Sequence, residues 1–259
     1  MDLGIKGRKA IVCASSQGLG KACATALARE GCVVTINGRD EGRLEAAARD
    51  IRAATDARVH AVVADINTEA GRAALVAACP DADILVNNNA GPPPGKLEDW
   101  DHAAWIDAFE QNMLPAILLI RALVPGMRRR RFGRIVNITS AMVKSPGAAM
   151  GLSTAARAGL SAVCKAISRE CVADNVTINN VLPYLVDTGC QRFLAERMVK
   201  LQGITMEEAR ARQAANVAAK RMGTAEEFAD ACAFLCGANA GYICGQNLQL
   251  DGGSYVGLV

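Results

Sequence analysis

Short apolar runs recur along the chain and alternate with longer stretches whose apolar residues fall three or four apart. The runs Arg8 to Cys13, Cys32 to Asn37, Arg58 to Ala64, Ile84 to Asn87, Arg134 to Ser140, Asn175 to Leu182 and Gln246 to Leu250 read as strands. Apolar character that is continuous rather than alternating marks strands covered on both faces. Lys21 to Glu30, Leu44 to Ala53, Glu69 to Ala78, Trp105 to Met127 and Glu226 to Cys236 read as helices, with Pro115 breaking or kinking the fourth. Strand and helix alternate roughly every 20 to 30 residues, the spacing of βαβ units in a parallel sheet. The expected fold class is α/β, one doubly wound parallel sheet with helices on both faces. No internal repeat, low-complexity tract or linker divides the chain, so residues 1–259 read as a single domain.

An open parallel sheet binds ligands at the carboxyl ends of its strands, near the point where strand order reverses. The loops that begin at Cys13, Gly38, Asp65, Asn87, Ser140 and Pro183 all belong to that edge. The stretch Gly133 to Cys171 is its chemical centre. Its strand ends in the hydroxyls of Thr139 and Ser140, and a loop follows with Lys144. A helix then opens with Ser153 and, one turn on, the cation Arg157. Residues 187–216 are polar and helix-prone, with no strand pattern. Phe193, Leu194, Met198 and Leu201 give them an apolar face, next to Arg192, Arg197 and Lys200.

Composition and charge exclude more than they identify. A net charge of +3 gives no electrostatic reason to expect nucleic acid or a membrane surface as partner. The one basic run, Arg128 to Arg131, reads as a solvated helix end, where cations meet the carbonyl pole. The ten cysteines include no Cys-x-x-Cys, and His60 and His102 stand apart from them, so no metal site is expected. Cys232 and Cys236, one turn apart on a helix, read as small core residues. Cysteines of this kind point to a reducing compartment. No signal peptide opens the chain, and no apolar run approaches the roughly 18 residues that span a membrane. A soluble cytoplasmic protein is the expectation.

A glycine-rich turn between a first strand and a first helix presents backbone N–H groups to a pyrophosphate, and the helix dipole adds to the attraction. That turn is Ala14 to Gly20 here, with Gly18 and Gly20 in place. A packing turn would carry the same glycines. Further features stand at consistent distances along the chain. Asp65 ends the third strand, Asn87 and Asn88 the fourth, and Ser140 the fifth, while Asn112 lies in a helix. Near the C-terminus come Arg221-Met-Gly-Thr-Ala-Glu-Glu, Gly241-Tyr-Ile-Cys-Gly-Gln and Asp251-Gly-Gly253. Together these resemble the short-chain dehydrogenase/reductase family over essentially the whole chain, and within it the branch similar to 3-oxoacyl-acyl-carrier-protein reductases. The resemblance implies a Rossmann-type domain of about seven parallel strands, a nicotinamide cofactor and a small-molecule carbonyl or alcohol substrate. It also implies a homotetramer (or homodimer) built through the long helices around Asn112 and Ser153 and through the C-terminal strand. It places cofactor contacts on Ala14, Ser16, Gln17, Gly18, Leu19, Gly20, Arg39, Asp65, Ile66, Asn88, Arg157 and Pro183, and makes 187–216 a substrate lid.

The departures are as informative. The family opens its glycine turn with Thr-Gly, and this chain has Cys13 and Ala14. If that position needs φ > 0, alanine costs on the order of 1 kcal/mol. The family's Asn-Asn-Ala-Gly segment maps without a gap onto Asn87 to Ala90; a gapped reading onto Asn88 to Gly91 is the second choice. An acid closing the second strand would accept from a ribose 2′-OH. Here that place is Gly38, followed by Arg39, whose guanidinium suits a 2′-phosphate. NADP is therefore expected over NAD. The bland alternative pairs Arg39 with Asp40 or Glu41.

The family's catalytic set is an asparagine, a serine, a tyrosine and a lysine. Asn112 and Ser140 match, but Tyr-x-x-x-Lys falls on Ser153-x-x-x-Arg157. A serine hydroxyl is a poor proton donor or acceptor near neutrality, and an arginine can bind ribose hydroxyls but cannot shuttle a proton. Three readings stay open. A replacement acid can act, with Tyr184 after Pro183 as first candidate and Lys144 as second. The protein can bind cofactor and ligand without turnover, as a sensor or assembly partner. Or it can run a non-redox hydration or retro-aldol step, with Ser140 and Arg157 polarising a carbonyl.

Overall fold

In the computed structural model, which describes residues 2–258, the apolar runs form one sheet of seven strands. These are β1 (Lys9–Val12), β2 (Val33–Gly38), β3 (Val59–Val63), β4 (Ile84–Asn87), β5 (Gly133–Ile138), β6 (Val176–Pro183) and β7 (Asn247–Leu250). Their order is β3-β2-β1-β4-β5-β6-β7, and every pairing is parallel. The chain runs outward from β1 to β3, then returns to place β4 on the other side of β1. The order therefore reverses between β1 and β4, where a ligand crevice is expected.

The helices are α1 (Gly18–Arg29), α2 (Glu41–Thr55), α3 (Glu69–Ala78), α4 (His102–Asn112), α5 (Leu114–Arg129), α6 (Gly151–Cys171), α7 (Gly189–Gln202), α8 (Met206–Ala215) and α9 (Ala225–Cys236). Successive strand residues point to opposite faces and feed two cores. Ala10, Val12, Ile84, Val86 and Val136 join Leu27, Leu44, Ile51 and Phe228 on one face. Ile11, Leu85 and Ile135 join Leu75, Leu119, Leu123 and Leu160 on the other. Side-chain caps fix several helix starts: Asp40 accepts from the Arg43 N–H, Thr68 from Gly71, Asp101 from Ala104 and Thr224 from Glu227.

Some boundaries differ from the sequence reading in ways that matter for the site. Helix α1 begins at Gly18 rather than Lys21, so the glycine turn is itself the first helical turn. The long helix read over Trp105 to Met127 is two helices, parted at Met113, with Pro115 in the first turn of α5. The basic run does close α5, but it is ion-paired rather than merely solvated. Arg128 and Arg131 hold Asp174 at 2.6 and 2.7 Å, and Arg130 reaches the Ala82 carbonyl at 2.6 Å. Cys232 and Cys236 are fully buried, as core residues should be.

One polar feature crosses the apolar sheet. Asn87, Asn137, Asn180 and Asn247 stand at one register on β4 to β7. Asn87 Nδ2 donates to Asn137 Oδ1 at 2.9 Å, Asn137 Nδ2 to Asn180 Oδ1 at 2.9 Å, and Asn180 Nδ2 to Asn247 Oδ1 at 2.7 Å. Such amides are tolerated in a core because each finds a partner.

Candidate functional site

The reversal between β1 and β4 opens a cleft of about 630 Å³, within the range of roughly 300–1,000 Å³ usual for ligand pockets. Its walls include Ala14, Ser16, Gln17, Gly18 and Leu19 from the glycine turn, Arg39 after β2, Asp65 and Ile66 after β3, and Asn88 after β4. These are the positions expected to touch the cofactor. Gly20 and Pro183 lie outside the lining. Gly20 acts from behind it: a Cβ there would meet the Ala14 carbonyl at 2.4 Å and Asn88 Nδ2 at 2.9 Å. Pro183 ends β6 in register with Leu250.

The turn is held from three sides. Ser15 Oγ donates to the Val12 carbonyl at 2.6 Å and accepts from the Asn37 N–H at 2.9 Å. Asn37 Nδ2 donates to the Val62 and Ala64 carbonyls, and Asn88 Nδ2 donates to the Ala14 carbonyl at 3.1 Å. Under these constraints Ala14 adopts φ 44°, the left-handed conformation a glycine would take without strain. Gly18 has φ 57° with nothing within 4 Å of where a Cβ would be. Gln17, the N-cap of α1, makes no side-chain cap, so the first N–H groups of the helix face the cleft without one. Cys13, beneath the turn, is buried, which pushes its thiol up to about 12. Arg39 pairs with Asp65 at 3.9 Å across the rim, not with Asp40 or Glu41. Thr188, Gly189, Cys190 and Phe193, all within the stretch 187–216 read as a lid, close the far wall. Phe193 stands on the apolar face named for that stretch; the other three carry no side-chain signal of their own and are placed only by following β6 on the ligand-binding edge.

The second half of the edge is built around Arg157. Its guanidinium is buried between the ends of β4 and β5 and helices α4 and α6. Nε donates to Ser153 Oγ at 3.2 Å. Nη1 donates to the carbonyls of Ile138 and Thr139 at 2.8 and 3.3 Å, and Nη2 to the Asn89 carbonyl and Asn112 Oδ1 at 3.3 and 3.0 Å. An arginine has five N–H donors, and all five are engaged by neutral protein acceptors. Ribose hydroxyls, expected at Arg157, would have to displace one of these acceptors to reach it. Burial without a carboxylate pulls its pKa down to about 10, so it remains a cation at neutral pH.

Asn112 and Ser153 are thereby brought together through one side chain. Asn112 Nδ2 is buried with no partner among the described residues and stands beside a cavity of about 20 Å³, room for a single water. Ser140 is half-buried at the end of β5, and its Oγ accepts from the Met142 N–H at 3.2 Å. No hydrogen bond joins Ser140 to Arg157 or Ser153. Tyr184 is half-buried after β6, and its backbone N–H meets the Leu250 carbonyl at 3.1 Å. It does not line the cleft. The ammonium of Lys144 lies 5.5 Å from the centroid of the Tyr255 ring. Of the three tyrosines, Tyr184, Tyr242 and Tyr255, the sequence favours Tyr184 as the phenol near the site, because nothing in the local sequence of Tyr255 shows that the tail folds back towards the β5 loop. The described residues contain no cluster of histidine, cysteine or carboxylate side chains able to hold a metal.

Comparison with known proteins bears on both halves. A family model described as enoyl-(acyl carrier protein) reductase matches residues 13–255. The chain is 32% identical over 252 residues to the NADPH-dependent reductase BacG of Bacillus subtilis (strain 168), covering 95% of this chain and 97% of that one. It is 30% identical over 263 residues to the 3-oxoacyl-[acyl-carrier-protein] reductase FabG of Escherichia coli (strain K12), covering 98% and 100%. The structure of L-sorbose reductase from Gluconobacter frateurii, complexed with NADPH and L-sorbose, matches with a TM-score of 0.95 at 30% identity over the full length of both chains.

Proposed function

Because the chain belongs to the short-chain dehydrogenase/reductase family, we propose that it is an NADP(H)-dependent oxidoreductase interconverting a small carbonyl compound, 3-oxoacyl-like in character, and its alcohol. The observation that carries this reading is the polar cleft at the strand-order reversal, with Arg39 on its rim. The residues present fit the cofactor. The glycine turn and the uncapped first turn of α1 would take the pyrophosphate, and Arg39 the 2′-phosphate. Asp65 and Ile66 would flank the adenine end, and Asn88, braced on the Ala14 carbonyl, would shape the middle. The cofactor, when bound, supplies or accepts hydride. Relatives and a matched structure named for NADPH support the same choice.

The chain's own residues must move the proton. Ser153 and Arg157 do not do so, for the reasons of acidity and hydrogen bonding given above. We place that role on Tyr184, whose phenol makes no hydrogen bond among the described residues, with Lys144 as the alternative. Residues 187–216 form the lid, with Phe193 already lining the cleft. The second reading is a cofactor-binding protein without turnover. It is favoured by one observation, the complete closure of Arg157 by protein acceptors. Exposed apolar residues on α4, α5 and α6 (Ile106, Leu114, Val163) and around β7 (Phe234, Tyr242, Leu248) support a homotetramer, checked by light scattering. No helix among the described residues is long and apolar enough to cross a membrane, in keeping with a cytoplasmic enzyme.

Fluorescence titration with NADPH and NADH tests the cofactor. NADPH should bind more tightly, and Arg39→Ala should weaken NADPH about tenfold or more while sparing NADH. Binding of neither nucleotide would overturn the reading. A screen of carbonyl compounds at the nicotinamide absorbance, run beside Tyr184→Phe, then separates the two functions. Turnover that Tyr184→Phe abolishes supports the phenol as acid, and binding with no turnover favours the silent reading.

A further inference from the structure

A second cavity, of about 230 Å³, lies at the carboxyl ends of β6 and β7. It shares no lining residue with the cofactor cleft. Its apolar walls are Leu185 and Val186 after β6, Val217 and Ala219 after α8, Phe228 on α9 and Leu250 at the end of β7. Of these, Val186, Val217 and Phe228 are buried.

The charged groups on its wall are committed to one another or to the backbone. Arg221 donates through Nη1 and Nη2 to the two oxygens of Glu227, at 2.8 and 2.7 Å. Glu227 also accepts from the Thr224 N–H at 2.8 Å, and the Thr224 hydroxyl accepts from the Glu227 N–H at 3.1 Å. Asp251 accepts from the N–H groups of Gly253 and Tyr255 at 3.0 and 2.8 Å. The one guanidinium is thus neutralised, and with two carboxylates beside it the lining holds no cation to attract an anion. Polar groups that already have partners gain nothing from a polar ligand, whereas apolar walls gain from an apolar one. The volume exceeds the roughly 150 Å³ in which an apolar cavity takes benzene.

The position of the cavity gives its occupancy a consequence. Leu185 and Val186 lead into the stretch 187–216, and Val217 and Ala219 lead out of it. Both roots are tied down around the cavity. Val186 bridges to Gly223, the Gly223 N–H donates to the Leu185 carbonyl at 3.0 Å, and the Asp187 N–H donates to the Gly223 carbonyl at 2.8 Å. The Ala219 N–H donates to the Gly252 carbonyl at 3.0 Å. Parting the two roots would take the walls of the cavity apart. A ligand touching both roots binds only while they are together, and shifts the equilibrium towards that arrangement by its difference in affinity.

We propose that this cavity is a second binding site, for an uncharged apolar molecule of alkylbenzene size, and that filling it holds the root of the lid together. The effect on the lid rests on the reading of 187–216 given above; the site itself does not. The ligand acts on the motion of the lid without entering the cofactor cleft.

Amide hydrogen exchange of the full-length chain, read by mass spectrometry with toluene as probe, tests both parts. At ten times its dissociation constant, toluene should slow exchange at 185–187 and 217–223 about tenfold, and the slowing should extend into 187–216. Benzoate and benzylamine, with the same ring and a charge of either sign, should protect far less. Ala219→Leu, a change at an exposed position that fills the cavity, should abolish the protection. Absent protection by toluene, equal protection by benzoate or benzylamine, or protection that survives Ala219→Leu overturns the site. Protection that stops at the two roots overturns the coupling. Exchange with NADP+ alone tests the lid reading separately: if 187–216 do not respond to the cofactor, that reading falls, while the toluene arms still decide the site.

Discussion

The two halves of the carboxyl edge have responded to sequence change in opposite ways. On the β1–β4 side, an alanine stands where a left-handed residue is needed, and the turn keeps its shape: Ala14 accepts φ 44° and its carbonyl still meets Asn88. On the β5–β6 side, Arg157 stands where the family has lysine, and the hydrogen bonding is rebuilt, with one guanidinium gathering five acceptors from four elements. Binding of a polyanion depends on backbone shape, and that shape is kept here with an alanine at positive φ. Proton transfer depends on one atom's acidity, and neither Ser153 nor Arg157 has the acidity to carry it. The first region is a mould that stays open, and the second has become a closed polar node.

The largest test of that contrast removes the node. Arg157→Met should destabilise the protein by about 3–5 kcal/mol, because it strips the donors from buried carbonyls and from Asn112. Urea unfolding followed by circular dichroism measures this, and a loss below about 1 kcal/mol would mean that the node is not a structural brace. A smaller effect of opposite sign is expected in the mould. Ala14→Gly should stabilise by about 1 kcal/mol, since glycine relieves the positive φ and gives up only a methyl group on the cleft wall. Unchanged or lower stability in the same assay would show that Ala14 is unstrained. The smallest expected effect is none. With the folded-state pKa of Arg157 pulled down to about 10 from the ordinary 12.5, its charge is complete at neutral pH. Folding then carries a charge-burial penalty that is fully present below about 10 and is relieved as pH rises from there towards 12.5. The stability difference between wild type and Arg157→Met should accordingly stay flat between roughly pH 6 and 9, well below that folded-state pKa. A difference that changes near neutrality would point to a different group.

The layout of the edge could be read in the sequence because it follows from periodicity. Strands of β-type residues ending at Val12, Val63, Asn87 and Ile138 put Gly18, Asp65, Asn88 and Ser140 on one side with no knowledge of contacts. The strain at Ala14 could be anticipated as well, since it depends on one residue's backbone. The state of Arg157 could not. Its acceptors come from residues 89, 112, 138, 139 and 153, and three of them are backbone carbonyls, which every residue carries and no sequence pattern distinguishes. Tyr255 was hidden for a related reason: a tail's return path depends on tertiary contacts, here with Lys144. The walls added by Thr188 and Phe193 depend on how α7 docks, which amphipathic spacing leaves undetermined.

The row of asparagines across β4 to β7 has a consequence of another kind. Backbone N–H and carbonyl groups repeat identically along every strand, so a parallel sheet pairs almost as well when one strand is shifted. Four amides that meet only at one alignment remove that ambiguity. A slip of one residue in β5 would set Val136 or Ile138 against Asn87 and Asn180 and leave their amides unmatched in the core. The row works as a checksum on the assembled sheet. Three residues beyond it on β5 and β6 come Ser140 and Pro183, so the alignment that satisfies the checksum is also the one that brings the edge of the site level.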